Sequence, residues 1–284
     1  MKYGILIISA LILASCGTSG VEPAKKDKSL SRQPKQEEVL TAEMLLEPKK
    51  TIVEKKEFPN GLKIQWFEKG TGEALSEGEV YEVNFKVKLT NGEIVDGNHL
   101  LKKDMIPFLV GYGMQTKGWD IAMKEMHVGD FAEVFIPANL ARGAVGVPGV
   151  IPPNSPNIIF LRVGKKIAPS RIVEGTKIWL LEERPENKDS IIGEKSDVAF
   201  HYFVGTKSNP KYDNSYKRKV PFEFNMDNFG LVPGLRKALL TAKTYDKLWI
   251  LVPPSQAYGS KGYVDVVKPG ESMFYDIIIM SVRN

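Results

Sequence analysis

At 284 residues, with 43% hydrophobic and 26% charged side chains, the chain is long enough to bury two ordinary cores. Lys and Arg number 39 against 34 acids, a mild excess spread along the sequence without Arg clusters or basic stripes interleaved with aromatics, so no nucleic-acid partner is expected. His99, His127 and His201 lie apart, have no cysteine partners and show no metal-ligand spacing, so no metal is expected.

The chain opens with Lys2 and an apolar run from Ile5 to Leu13. That run is shorter than the roughly 20 residues a membrane span needs, and it fits the h-region of a signal peptide over residues 1–15. Leu13-Ala14-Ser15-Cys16 resembles the lipobox of bacterial lipoproteins, in which cleavage leaves cysteine as the new N-terminus and lipid is attached to its sulfur. The resemblance implies a membrane-anchored protein of the cell envelope, on the periplasmic or outer-membrane side. The alternative is a plain secretory signal with an incidental cysteine. Because Cys16 is the single cysteine, its lipidation leaves none for disulfides, and the folded parts stand on packing alone. From Gly17 to about Glu38 the chain is mostly Ser, Lys, Pro, Gln and Glu, the composition of a flexible tether. Val39, Leu40, Met44, Leu45 and Leu46 give Glu37–Glu47 the pattern of a short amphipathic helix, read equally well as a partly ordered linker before Pro48.

From residue 48 the signals are those of a sheet with one helix. Tyr81–Leu89 alternates apolar and polar residues, the period of a half-buried strand. Asn91-Gly92 follows as a tight turn and Ile94-Val95 begins the return strand. Trp119, Met123 and Met126 fall on one face of a helix predicted from Thr116 to Met126, which Gly129-Asp130 closes. Phe131–Ile136 and Asn157–Val163 read as two further strands.

The same order returns downstream: strand Val198–Val204, helix Pro233–Ala242, strand Lys247–Val252 and strand Met273–Val282. Landmarks repeat with it. Asn60-Gly61-Leu62-Lys63-Ile64, Phe85, Val95-Asp96, Pro107-Phe108, Gly118-Trp119 and Ile136-Pro137 match Glu174-Gly175-Thr176-Lys177-Ile178, Tyr202, Tyr212-Asp213, Pro221-Phe222, Gly234-Leu235 and Val252-Pro253. The offset of about 115 residues is far beyond any solenoid period, so whole domains are duplicated. The reading is α+β, with two tandem domains at 48–168 and 169–284, each a twisted antiparallel sheet wrapped around one short helix. The short Lys165–Arg171 connection suggests that the domains touch.

These landmarks resemble the FKBP-type peptidyl-prolyl isomerases. In that family a floor aromatic at the helix start, aromatics from the strands, an Asp and a Tyr line the hollow that receives a proline ring. The resemblance places Tyr202, Tyr212, Asp213, Phe222, Phe224, Leu231, Val232, Val267, Tyr258 and Tyr275 in the second pocket, with Leu235 where the family usually has Trp. In the first pocket it places Phe85, Asp96, Ile106, Phe108, Trp119 and Ile159, with Val150 and Ile151 in the loop Gly143–Pro153 that resembles the family's loop over the active site. Here the departures are polar: Arg142 stands at the position of the pocket Tyr, and Gln115-Thr116 replace the usual aliphatic pair. Val95 also replaces an aromatic.

What the resemblance implies needs no cofactor. Rotation about an X-Pro bond faces a barrier of ~18–20 kcal/mol because twisting breaks amide resonance, and a protein lowers it by holding the twisted state better than the planar one. On this reading Tyr258 donates to a substrate carbonyl, Asp213 polarises the pocket beside the twisting bond, and Tyr202 helps to form the apolar cup. Asp96 is the corresponding carboxylate of the first pocket. The expected activity is isomerisation of X-Pro bonds in exported proteins, with Pro-containing polypeptides as clients. The alternative is a non-catalytic chaperone or scaffold that binds Pro-containing segments of a partner.

Overall fold

The computed structural model describes residues 51–183 and 190–284. The signal peptide, Cys16, the tether and the helix expected at Glu37–Glu47 lie outside the described residues. No helix among the described residues is long and apolar enough to cross a membrane.

The first domain is one antiparallel seven-stranded sheet. Its strands are β1 (Glu54–Glu57), β2 (Lys63–Glu68), β3 (Val80–Leu89), β4 (Ile94–Gly97), β5 (Ile106–Leu109), β6 (Phe131–Ile136) and β7 (Asn157–Ile167). They lie in the order β1-β2-β6-β7-β3-β4. β4 pairs with the last turns of β3 (Val87↔Asp96) and β5 with its first (Tyr81↔Phe108), so the chain crosses twice along one edge. Helix α1 (Asn98–Leu101) fills the step between them, and α2 (Lys117–Met123) covers the sheet.

The second domain repeats the plan with β8 (Arg171–Val173), β9 (Thr176–Glu182), β10 (Asp197–Thr206), β11 (Asp213–Asn214), β12 (Phe222–Asn225), β13 (Lys247–Val252) and β14 (Met273–Arg283). The order is β8-β9-β13-β14-β10-β11, with β12 paired to β10. A 3-10 turn, Ser215–Arg218, stands in the place of α1, and α3 (Pro233–Leu239) in that of α2. Each strand and helix of the first domain therefore has its counterpart, although many of the short elements left no periodic signal in sequence.

Both pocket helices are shorter than their apolar spacing predicts, for one reason. After Met123 the chain leaves the helix so that the Met126 carbonyl accepts the Leu75 amide (3.0 Å), and after Leu239 so that Thr241 and Ala242 exchange hydrogen bonds with Ile192. Met126 stays fully buried without being helical. Asp130 is likewise no helix stop: wholly buried, it accepts from Trp66 Nε1 (2.9 Å) and from the Gly70 and His127 amides, tying the turn before β6 to β2. The helices lie close on their sheets. A Cβ at Gly118 would come within 2.3 Å of Ile136, and one at Gly234 within 2.5 Å of Val252, so only glycine admits this approach.

Each domain has its own core under its helix. A third apolar cluster joins them: Val80 and Leu109 of the first domain meet Trp179, Trp249, Leu251 and Phe274 of the second, flanked by Tyr112 and Met114. The Trp179 indole N–H is satisfied by the Ile167 carbonyl in the connection itself (2.9 Å).

Candidate functional site

In the second domain β10, β11 and β12 bring an aromatic row to one end of the sheet. Phe200 lies 5.4 Å from Phe222 and 6.1 Å from Tyr202, Tyr202 meets Phe222 edge-on at 6.1 Å, and Phe222 stacks on Phe224. Tyr202, Tyr212, Phe224, Leu231, Val232 and Tyr258 all pack on the core that contains Leu235, Val267 and Tyr275. Leu235, on the first turn of α3, is buried and forms an aliphatic floor. The loop from Tyr258 to Val267 is fixed by the Tyr263–Val267 bridge, and the Tyr258 ring stacks on Tyr263 at 4.8 Å.

Asp213 begins β11 at the edge of this row, held in a closed triangle. Tyr202 Oη donates to its Oδ2 (2.5 Å), Arg218 Nη1 donates to its Oδ1 (2.9 Å), and Arg218 Nη2 donates to Tyr202 Oη (2.6 Å). The backbone explains how Arg218 gets there. Asn214 caps the 3-10 turn by accepting the Lys217 amide (2.9 Å), and the buried Ser215 Oγ accepts the Tyr202 amide (2.9 Å), which turns the end of the segment back over β11. Burial would raise the Asp213 carboxyl, but the bonds from Tyr202, Arg218 and the Asn214 amide outweigh it and hold it below the ordinary range. Burial raises the Tyr258 hydroxyl, with Tyr263 adding to it, so Tyr258 stays a donor through neutral pH.

The first domain assembles the same framework with a different result. Trp119, 3% exposed, stacks on Phe108 (5.6 Å) and meets Phe85 edge-on (5.1 Å). Ile106 packs on this core at the edge strand, Val95 and Ile159 are buried in it, and Val150 and Ile151 close it from the loop. Arg142 occupies the loop position of Tyr258, as the matching bonds from Gly146 to Arg142 and from Gly262 to Tyr258 show. Its guanidinium turns inward, donating to Gln115 Oε1 (3.3 Å) and facing Asp96. What remains between Val87, Asp96, Thr116, Trp119, Arg142 and Asn157 is a cavity of about 10 Å³, room for about one water and far too small for a proline ring.

The two carboxylates consequently differ. Asp96 is 3% exposed and, among the described residues, its hydrogen-bond partner is the Gly97 amide (2.8 Å). Burial pushes it up to about 6 against the pull of that amide and of Arg142. Phe85 stands where Tyr202 does in the second domain, so the hydroxyl donor is missing.

Sequence reasoning missed Arg218, which reads as one of several solvated cations in Lys211–Lys219; its signal is the five-residue offset from Asp213 across a turn capped by Asn214. It also missed Asn157, whose buried Oδ1, like Thr116 Oγ1, finds no protein partner at the first cavity. Among the described residues no group of three His, Cys, Asp or Glu side chains gathers as metal ligands would.

Comparison with known proteins agrees with the duplication. Residues 71–160 and 188–280 each match the profile of the family described as FKBP-type peptidyl-prolyl cis-trans isomerase. The chain is 25% identical over 210 residues to the Mus musculus peptidyl-prolyl cis-trans isomerase FKBP10, covering 73% of this chain and 35% of that one. It is 30% identical over 183 residues to the Mus musculus isomerase FKBP9, covering 62% and 30%. It thus spans about a third of the length of these curated relatives. Among solved structures it is similar to the three FKBP domains of wheat FKBP73 (20% identity, TM-score 0.39, covering 79% of this chain and 96% of that one). It is also similar to FkpA from Escherichia coli (29% identity, TM-score 0.36, covering 39% and 51%).

Proposed function

The chain belongs to the FKBP-type peptidyl-prolyl cis-trans isomerase family, and from that premise we propose that its second domain catalyses rotation about X-Pro bonds. The observation that carries this reading is the triangle of Asp213, Tyr202 and Arg218 set beside the row of aromatics. Uncatalysed exchange takes roughly tens to hundreds of seconds because the planar amide must lose its resonance. A proline ring seated on Leu235 between Tyr202, Phe222 and Tyr275 leaves water behind, and the twisted amide, with its carbonyl no longer conjugated, gains most from the Tyr258 hydroxyl. Asp213, held ionised, sets the field beside the bond. The catalysis is differential binding of the twisted state.

The first domain supports a second, non-catalytic reading of its own pocket, because Arg142, bonded to Gln115, lines it and leaves a cavity of only about 10 Å³. We place the protein at a bacterial cell envelope, tethered by lipid on Cys16 and acting on Pro-containing segments of exported proteins. Support for that placement is the run Leu13–Cys16 and the polar stretch behind it. The separating experiment is turnover of a Pro-containing tetrapeptide by the full chain. Asp213→Ala and Tyr258→Phe should each lower kcat/KM by about tenfold or more, while Asp96→Ala leaves it near the starting value. Loss with Asp96→Ala and retention with Asp213→Ala would assign the activity to the other domain.

A further inference from the structure

Tyr212 and Asp213 hang from a tight loop, residues 206–211, that closes on itself. The Thr206 amide donates to the Asn209 carbonyl (3.0 Å) and the Asn209 amide to Thr206 Oγ1 (3.1 Å). One shoulder is held within the second domain, where Glu271 accepts from the Ser208 amide (3.0 Å) and hydroxyl (2.8 Å). The other lands on the first domain. Lys207 Nζ donates to Glu77 Oε2 (2.5 Å), and the Pro210 ring lies so close over Gly113 that a Cβ there would be 2.5 Å from Pro210 Cβ. Gly113 has φ +61°, a conformation that favours glycine, and the neighbouring Tyr112 ring packs against Phe274 of the second domain (6.3 Å).

The loop that presents the second pocket's polar wall is therefore clamped between two domains. We propose that the first domain is a positioning element of the second domain's site, with Glu77 and Gly113 acting through Lys207 and Pro210 to fix Tyr212 and Asp213; this rests on the reading of the second pocket as the isomerase. Lys207 precedes Asp213 by six residues and Pro210 by three, within a segment too short and too tightly bonded to absorb a shift. The triangle of Asp213, Tyr202 and Arg218 needs bond lengths held to tenths of an ångström, so the dock acts on it directly. The polar-filled first domain, unsuited to proline, thereby has a task that its own pocket does not supply.

The test uses full-length protein, with the disrupting substitutions confined to the first domain. Glu77→Lys repels Lys207, and Gly113→Ala drives a methyl into Pro210. Each should lower kcat/KM on a Pro-containing tetrapeptide by about five- to tenfold and shift the backbone amide resonances of Tyr212 and Asp213, while those of Leu235 stay put. Lys207→Arg should keep both values. Lys103→Gln, which breaks a separate pair across the same interface (Lys103–Glu182, 3.6 Å), should change neither. Unaltered kcat/KM and unshifted Tyr212 and Asp213 resonances in Glu77→Lys and Gly113→Ala would overturn the proposal. An unmodified protein without turnover would sink the isomerase reading instead, and the resonances would then judge the positioning on their own.

Discussion

Asp96→Asn is the sharpest probe of the first pocket, because its consequence follows from a burial and two pKa values. The carboxyl is 3% exposed, and burial moves it from an ordinary 3.8 up to about 6. A native-state pKa above the unfolded one means that the folded protein holds this proton longer. The associated stability is fully present below pH 3.8 and is lost as pH rises through about 6. Worked as linkage, keeping Asp96 in the fold costs less than about 1 kcal/mol at pH 4 and about 3 kcal/mol at pH 7. Asparagine keeps the shape and an acceptor for the Gly97 amide but does not titrate. The unfolding free energy of Asp96→Asn relative to the unmodified chain should therefore climb by roughly 2 kcal/mol between pH 4 and pH 7. Urea unfolding of both proteins across that range, followed by tryptophan fluorescence, measures the climb. A difference that stays flat would mean that Arg142 already neutralises the carboxylate fully, and that burial does not govern its titration.

Three further outcomes are expected. Arg218→Gln removes two of the three bonds in the second-site triangle, so kcat/KM should fall by about three- to tenfold. The fall should deepen toward acid pH as the Asp213 carboxyl loses the donor that helps to hold it low; an unchanged pH profile would show that Arg218 is a bystander. Arg142→Tyr combined with Leu101→Arg moves the first pocket's cation to the offset that Arg218 has from Asp213, and should restore measurable tetrapeptide turnover in an Asp213→Ala background. Continued silence there would place the defect elsewhere in the first pocket. Cys16→Ser should move the protein from the membrane fraction to the soluble fraction of a bacterial host, and retention in the membrane would remove the lipid anchor from the account.

The long strands and both pocket helices were legible because their apolar spacing reports directly on burial: Phe131–Ile136 and Lys247–Val252 have the predicted bounds. Short edge elements mostly were not, β4 excepted because the Asn91-Gly92 turn announces it. β11 has two residues and β12 four, too few to show a period, and their place is set by pairing with β10 rather than by composition. Helix ends were overrun for the same reason, since hydrogen bonds to Leu75 and Ile192, more than 40 residues away, decide where the chain unwinds. The landmarks did order the pocket residues, and the structure brings them together in both domains. Which direction Arg142 points, and that Arg218 reaches Asp213, depend on a turn and a loop whose conformations no local pattern reveals.

The two pockets meet one electrostatic requirement from opposite sides. A carboxylate beside an apolar cup needs a compensating donor or cation, because burial alone drives it toward neutrality. In the second domain that group is Arg218, which approaches from the 3-10 turn, outside the cup, and works with the Tyr202 hydroxyl. The loop position is then free for Tyr258, and the cup stays apolar. In the first domain Leu101 stands at the corresponding offset and Phe85 offers no hydroxyl. The cation comes from the loop position itself, as Arg142, and must cross the cup to face Asp96. The counter-charge stands outside the aromatic row in one arrangement and inside the pocket lining in the other. The exchange of Tyr for Arg at the loop therefore does more than add polarity to a rim: it places the counter-charge in the lining of the pocket itself, and leaves the first domain its contact with residues 206–211 as the proposed route to influence catalysis.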